Sequence, residues 1–220
     1  MVKVAVTLRV IENQNYSEKR DAISHDWIGF LEKRNICPVL IPNAISSPLS
    51  FLSALGNIDG VLLTSGNDYG IEGSPDSAAE RDSLEESLIR FAEEKYIPVV
   101  GVCRGLHVLN CYYGGSIVPF LADKGKGTHV NKMHAVTLLR DYIELPHEWE
   151  ARFEVNSYHN HGVSLETLAP DMYPFAVDDN GIVEGIKHKR LPFWGVQWHP
   201  ERNNPARGVD TWLFDIFKQA

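Results

Sequence analysis

The sequence predicts an α/β fold: a mostly parallel central sheet flanked by helices, with a nucleophile elbow and a small antiparallel flank. Three observations lead there. Short apolar runs at residues 2–8, 37–41, 60–64 and 97–102 are bounded by turn residues and have the length of buried strands. Stretches of helical spacing at 17–34, 49–55 and 77–95 lie between them, so strand and helix alternate as crossover-connected parallel sheets require. From Val130 onward the pattern turns to alternating polar and apolar positions, as in 134–138 and 153–156, which suits antiparallel strands at the sheet's edge.

The elements follow in order. Residues 2–8 form the first strand, and the helix expected over 17–34 places Ile23, Trp27, Phe30 and Leu31 on one face. The strand at 60–64 ends in Ser65-Gly66-Asn67-Asp68, a tight turn. A charged amphipathic helix, 77–95, precedes the strand 97–102, and a helix at 106–113 stops at Gly114-Gly115. A last strand at 193–198 and a helix at 210–218 close the chain. No repeat, low-complexity tract or long linker divides it, so residues 1–220 are expected to form a single domain.

Composition narrows the function. A net charge of −8 argues against a nucleic-acid or anionic-membrane partner, which recruits contiguous Lys and Arg. No apolar stretch has transmembrane length and the N-terminal run is too short for a signal h-region, so a cytoplasmic protein with a small-molecule substrate is expected. Three cysteines, Cys37, Cys103 and Cys111, make no disulfide framework. Oligomeric state is not legible from these features.

One cysteine stands apart. Gly101-Val102-Cys103-Arg104-Gly105 sits where a buried strand meets a helix, and small residues on both sides let the backbone turn sharply and project the thiol. Amides at the helix N-terminus favour a thiolate, and the Arg104 amide can donate to a developing oxyanion. A free cysteine is more often core packing, which suits Cys37 and Cys111, since neither has the glycine bracket. Downstream, Gly195-Val196-Gln197-Trp198-His199-Pro200-Glu201 carries a strand into His-Pro-Glu. Residues i and i+2 of an extended chain point to one side, so Glu201 can orient one nitrogen of His199 and leave the other to exchange a proton with the thiol. His-x-Glu alone describes many surface pairs; its weight comes from Cys103.

Together these two segments resemble the class I glutamine amidotransferase superfamily, and within it the γ-glutamyl hydrolase branch, whose free-standing members often carry Cys-Arg-Gly at the elbow. Leu63-Thr64-Ser65-Gly66-Asn67-Asp68 resembles that family's Gly-Gly-x-Asp turn, and Val155-Asn156-Ser157-Tyr158-His159 resembles its Asn-Ser-x-His segment. The resemblance implies a triad of Cys103, His199 and Glu201 and an oxyanion hole at Gly66 and Arg104. It also implies a substrate pocket at Asn67, His107, Ser157, Tyr158 and His159. The implied chemistry is cleavage of a γ-glutamyl amide through a thioester on Cys103, releasing glutamate. No metal or organic cofactor is expected: His-x-x-x-His and paired Cys-x-x-Cys spacings do not occur, and His159 with His161 fits the pocket segment.

Two positions depart from the family pattern. His107 replaces a usual Gln and Ser65 a usual Gly, and either change can alter substrate choice. The polar segment 7–21 follows the first strand, whose C-terminal end should border the active-site crevice. It resembles the corresponding loop of hydrolases acting on γ-glutamyl-CDP-amidate, which makes Arg9 and Arg20 candidates for phosphate contacts and cytidine diphosphoramidate, a precursor for capsule polysaccharide, a candidate product. Two alternatives stand beside hydrolysis. One is a glutaminase subunit feeding ammonia to a separate synthase, against which His107 counts; the other is a non-catalytic thiol sensor or binding module, against which His199 and Glu201 count.

Overall fold

A computed structural model describes residues 1–119, 129–141, 143–147 and 149–219. Its centre is a parallel array of five strands, β1 (Val2–Val6), β4 (Ile36–Leu40), β5 (Gly60–Leu63), β6 (Val99–Val102) and β12 (Phe193–Val196), in the order β4-β1-β5-β6-β12. Beyond β12 the sheet continues antiparallel through β11 (Ile182–His188), β10 (Met172–Asp178), β7 (His129–Leu138) and β8 (Arg152–His159), with the short β9 (Val163–Ser164) also on β11. The mixed sheet matches the expectation from sequence, with a flank larger than the two segments that signal it. β10 and β11 are almost wholly buried and therefore lack the polar alternation of a half-exposed strand.

Helices cover both faces because the strand residues alternate between two apolar clusters. Val4, Leu62, Val100 and Val102 join α1 (His25–Glu32) and α5 (Arg207–Asp215), where Trp27, Phe30 and Phe214 stack edge-on. Ala5, Val61, Leu63 and Val99 join α2 (Pro48–Leu55), α3 (Ala79–Lys95) and α4 (Arg104–Tyr112) on the opposite face. Among the described residues no helix is long and apolar enough to cross a membrane.

The expected helix over 17–34 is corrected at its first half. Residues Arg9–Glu12 (β2) and Lys19–Ala22 (β3) pair as a separate antiparallel hairpin, and α1 starts only after Ser24, whose hydroxyl accepts from the Asp26 amide at 3.1 Å. Lys19, Arg20 and Asp21 offer no apolar face to bury a helix against the sheet. Asp21 instead accepts from the backbone and side-chain amides of Asn43 (2.8 and 2.6 Å), which ties the hairpin to the loop after β4.

Candidate active site

β5, β6 and β12 are neighbours in the sheet, and the turn after each converges on one crevice. β6 lies in the middle and ends in Cys103, whose amide still donates to Val196 O of β12 at 2.8 Å before the chain turns into α4. Cys103 has φ +53° and ψ −101°, a strained backbone for a residue with a Cβ. The glycines make this turn possible. A Cβ on Gly101 would lie 2.5 Å from the Gly105 backbone, and one on Gly105 would lie 2.3 Å from Leu63 O of β5. α4 therefore packs directly on the strands and begins at Cys103.

β12 delivers His199, with side chain almost fully buried and Nδ1 2.7 Å from Glu201 Oε1. Burial opposes protonation of this ring, but the Glu201 carboxylate and the adjoining Cys103 sulfur outweigh it and push its pKa up to about 9. Among the described residues Nε2 has no nitrogen or oxygen partner, and the Cys103 sulfur adjoins the ring. The Tyr158 ring meets the imidazole edge-on at 5.4 Å, and Arg202 lies over Tyr158 at 4.2 Å.

β5 delivers Gly66 at φ +93°. Behind that turn the fully buried Arg81 of α3 donates to Thr64 O (2.8 Å), Ser65 O (3.1 Å) and Asn67 Oδ1 (3.2 Å), and pairs with Glu85 at 2.9 Å. Glu85 also binds the Arg104 side chain, which reaches Asp82 as well. The guanidinium of Arg104 thus anchors α4 to α3, while its amide stays at the elbow.

Two cavities meet at Cys103. One of about 190 Å³ is lined by Gly66, Cys103, Arg104, His107, Tyr158 and His159. The other, about 540 Å³, runs from Cys103 and His199 past Tyr158 and Arg202 to Arg9 and Ile11 of the hairpin. That size is ordinary for a small-molecule pocket, about 300–1,000 Å³. Larger depressions around Phe153 (about 660 Å³) and Arg140 (about 690 Å³) hold none of these groups.

The other residues singled out in the sequence divide. Arg9 lines both cavities and pairs with Asp76 at 2.9 Å, whereas Arg20 lines neither and binds Glu18 and Tyr16 on the exposed hairpin. Asn67 borders the small cavity, but its amide is committed to both sides of Val10, at 2.9 and 3.0 Å. His107 bonds Gln197 Oε1 at 2.8 Å, and burial drives its pKa down to about 3, so the ring is neutral. Gln197 Nε2 in turn approaches Cys103 Sγ at 3.6 Å. Ser157 is turned away from both cavities onto His129 O of β7. His159 touches the small cavity, but its Nε2 faces Glu184 at 3.6 Å.

Three further residues meet this site that sequence reasoning does not single out. Asn156 bonds both backbone groups of His199, Gln197 links His107 to the sulfur, and Arg202 adds a second cation to the larger cavity. The first two lie inside the two motif segments; nothing local marks Arg202.

Known proteins share this architecture. The chain is 28% identical over 206 residues to γ-glutamyl-CDP-amidate hydrolase of Campylobacter jejuni, covering 94% of this chain and 93% of the relative. It is 29% identical over 202 residues to γ-glutamyl-γ-aminobutyrate hydrolase of Escherichia coli O157:H7, covering 82% and 78%. The crystal structure of a glutamine amidotransferase from Thermotoga maritima superposes with a TM-score of 0.63 at 16% identity, over 99% of this chain and 83% of that one. The Peptidase C26 family model matches residues 1–201, and the chain belongs to that family.

Proposed function

We propose that the protein is a cysteine-dependent hydrolase of γ-glutamyl amides, with Cys103 as nucleophile, His199 as its proton partner and Glu201 as the group that orients His199. The observation that carries this reading is the strained Cys103 at the head of α4 beside the buried His199–Glu201 pair. Cys103 Sγ attacks the γ-carbonyl, and amides at Gly66 and Arg104 receive the oxyanion. The C–N bond breaks as His199 delivers its proton to the amine. Water, deprotonated by the same imidazole, then hydrolyses the thioester to glutamate and free thiol.

The paired cavities support a substrate with a small acyl end and a large leaving group. In this reading the glutamyl moiety occupies the 190 Å³ cavity and the leaving amine the 540 Å³ one, where Arg9 and Arg202 favour phosphate. That combination favours a nucleotide-linked amine such as cytidine diphosphoramidate over ammonia.

The test is glutamate release by the purified protein from γ-glutamyl-CDP-amidate, γ-glutamyl-γ-aminobutyrate and glutamine, for wild type and Cys103→Ala. Hydrolysis of the nucleotide-linked compound at the highest kcat/KM, abolished in Cys103→Ala, is expected. Release from none of the three without a second protein would instead favour the ammonia-supplying role, and activity surviving in Cys103→Ala would remove the mechanism.

A further inference from the structure

The antiparallel flank holds a buried group of four metal-type donors. His129 and His134 come from β7, His159 from β8 and Glu184 from β11, and one ligand atom from each lies within 4.8 Å of all the others. Glu184 is fully buried, yet among the described residues neither of its carboxylate oxygens has a hydrogen-bond partner. Among the described residues His159 Nε2 and His134 Nε2 have no hydrogen-bond partner either, and each faces that carboxylate at 3.6 Å.

The tautomer of His159 makes the arrangement informative. Its Nδ1 lies 2.9 Å from His161 O, and a carbonyl can only accept, so Nδ1 carries the proton. In the neutral ring Nε2 is then a lone pair aimed at a carboxylate, which is itself only an acceptor when ionised. Two acceptors facing each other in a buried site share either a proton or a metal ion, and a cluster of three imidazoles around the carboxylate is built to hold the latter. A backbone carbonyl holding the far nitrogen is also the usual way a ligating imidazole is oriented.

Backbone geometry brings the ligands together. His129 and His134 are five residues apart and would point to opposite faces of a regular strand. β7 carries a bulge between Val130 and Lys132, with Asn131 at φ +52°, and the extra residue resets the alternation so that both rings fall on one face. His129 is the direct cross-strand partner of His159, with ring centroids 4.7 Å apart.

We propose that His129, His134, His159 and Glu184 form a binding site for a zinc-class divalent cation. Three imidazoles and one carboxylate are a donor set suited to Zn²⁺. Tetrahedral bonds of about 2.0–2.1 Å place ligand atoms about 3.4 Å apart; here each Glu184 oxygen lies 3.6 Å from one imidazole nitrogen and the whole set lies within 4.8 Å, so an ion would draw the side chains inward. The ion ties β7 and β8 to β11, and so braces the strand whose Asn156 holds His199.

The test uses full-length Cys103→Ser protein, so that no ion bound by the elbow thiol is counted. The chelator-stripped protein is loaded with Zn²⁺ or Co²⁺ and desalted. About one ion per chain, the visible d–d bands of tetrahedral Co²⁺ and a rise in unfolding midpoint with Zn²⁺ are expected. Adding Glu184→Gln or His134→Ala should weaken binding by roughly tenfold or more and remove the Zn²⁺-dependent stabilisation. If Glu184→Gln does not fold, His134→Ala and the Co²⁺ spectrum decide. Absence of stoichiometric metal and of Co²⁺ bands, or metal binding that survives the available substitutions unchanged, would overturn the site. Neither outcome depends on Cys103 chemistry, so the proposed hydrolase stands or falls separately.

Discussion

Asn156 grips His199 by both sides of its backbone: its Oδ1 accepts from the His199 amide at 2.8 Å, and its Nδ2 donates to the His199 carbonyl at 2.8 Å. The contact joins β8 to the turn after β12, and in the proposed mechanism it fixes where the imidazole stands. Asn156→Asp keeps the acceptor but sets a carboxylate oxygen against the carbonyl. We expect it to cost about 1–3 kcal/mol in stability, and to lower kcat/KM by up to roughly 10²-fold through displacement of His199. Denaturant unfolding and steady-state kinetics on the same preparation separate the two effects, since a purely structural loss would leave the kcat of the folded fraction unchanged.

Gly105→Ala should damage the elbow without touching a reactive group. Its new methyl meets Leu63 O, a backbone atom that cannot rotate away, so α4 must lift from β5. A cost of about 1–3 kcal/mol is expected, together with slower alkylation of Cys103 by iodoacetamide as the thiol leaves the head of the helix. Gly208→Ala is the control for added side-chain bulk, because among the described residues nothing lies within 4 Å of its Cβ position and its backbone is not left-handed.

These contrasts show which parts of the molecule are legible from sequence. Cys103, His199 and Glu201 are readable because each lies within a few residues of a strand end, where local geometry dictates direction. The hairpin is not, since Lys19-Arg20-Asp21 carries no periodicity and its tie to the body of the protein runs through Asn43, over twenty residues away. The histidine cluster is hidden for a stronger reason. His129 and His134 have the wrong parity for one strand face until the bulge at Asn131 corrects it, and Glu184 arrives from a strand fifty residues on. Arg81 reads as an ordinary charge on an amphipathic helix, yet it is fully buried and holds the Gly66 turn.

Glu85→Gln tests that buried charge cluster. Burial acts to raise the Glu85 carboxyl, but Arg104 and Arg81 overcome it and hold it below the ordinary carboxylate range. Removing the charge leaves Arg104 paired with Asp82 and the buried Arg81 guanidinium held by neutral oxygens, which we expect to cost about 3–5 kcal/mol. Arg81→Met should cost less, because Glu85 keeps Arg104, but it frees Thr64 O and Ser65 O and loosens the turn at Gly66. Thermal unfolding of both variants, with kcat/KM measured well below the transition, checks the order.

The His199–Glu201 pair predicts a pH dependence with a definite sign. With the folded pKa pushed from 6.5 up to about 9, the native state holds a proton that the unfolded chain releases. The stability it contributes is full below 6.5 and is lost as pH rises through about 9. The unfolding midpoint of the wild type should therefore fall across that window relative to His199→Gln, which has no proton to lose. In the proposed mechanism the alkaline limb of kcat/KM lies near the same upper value, because the imidazolium is the proton donor to the leaving amine; the apparent value belongs to the thiol–imidazole couple. Glu201→Gln removes the carboxylate that does most to offset burial, so the limb should move to lower pH while Cys103 stays in place. A limb that does not move would assign the titration to another group and deprive Glu201 of its orienting and charge-stabilising role.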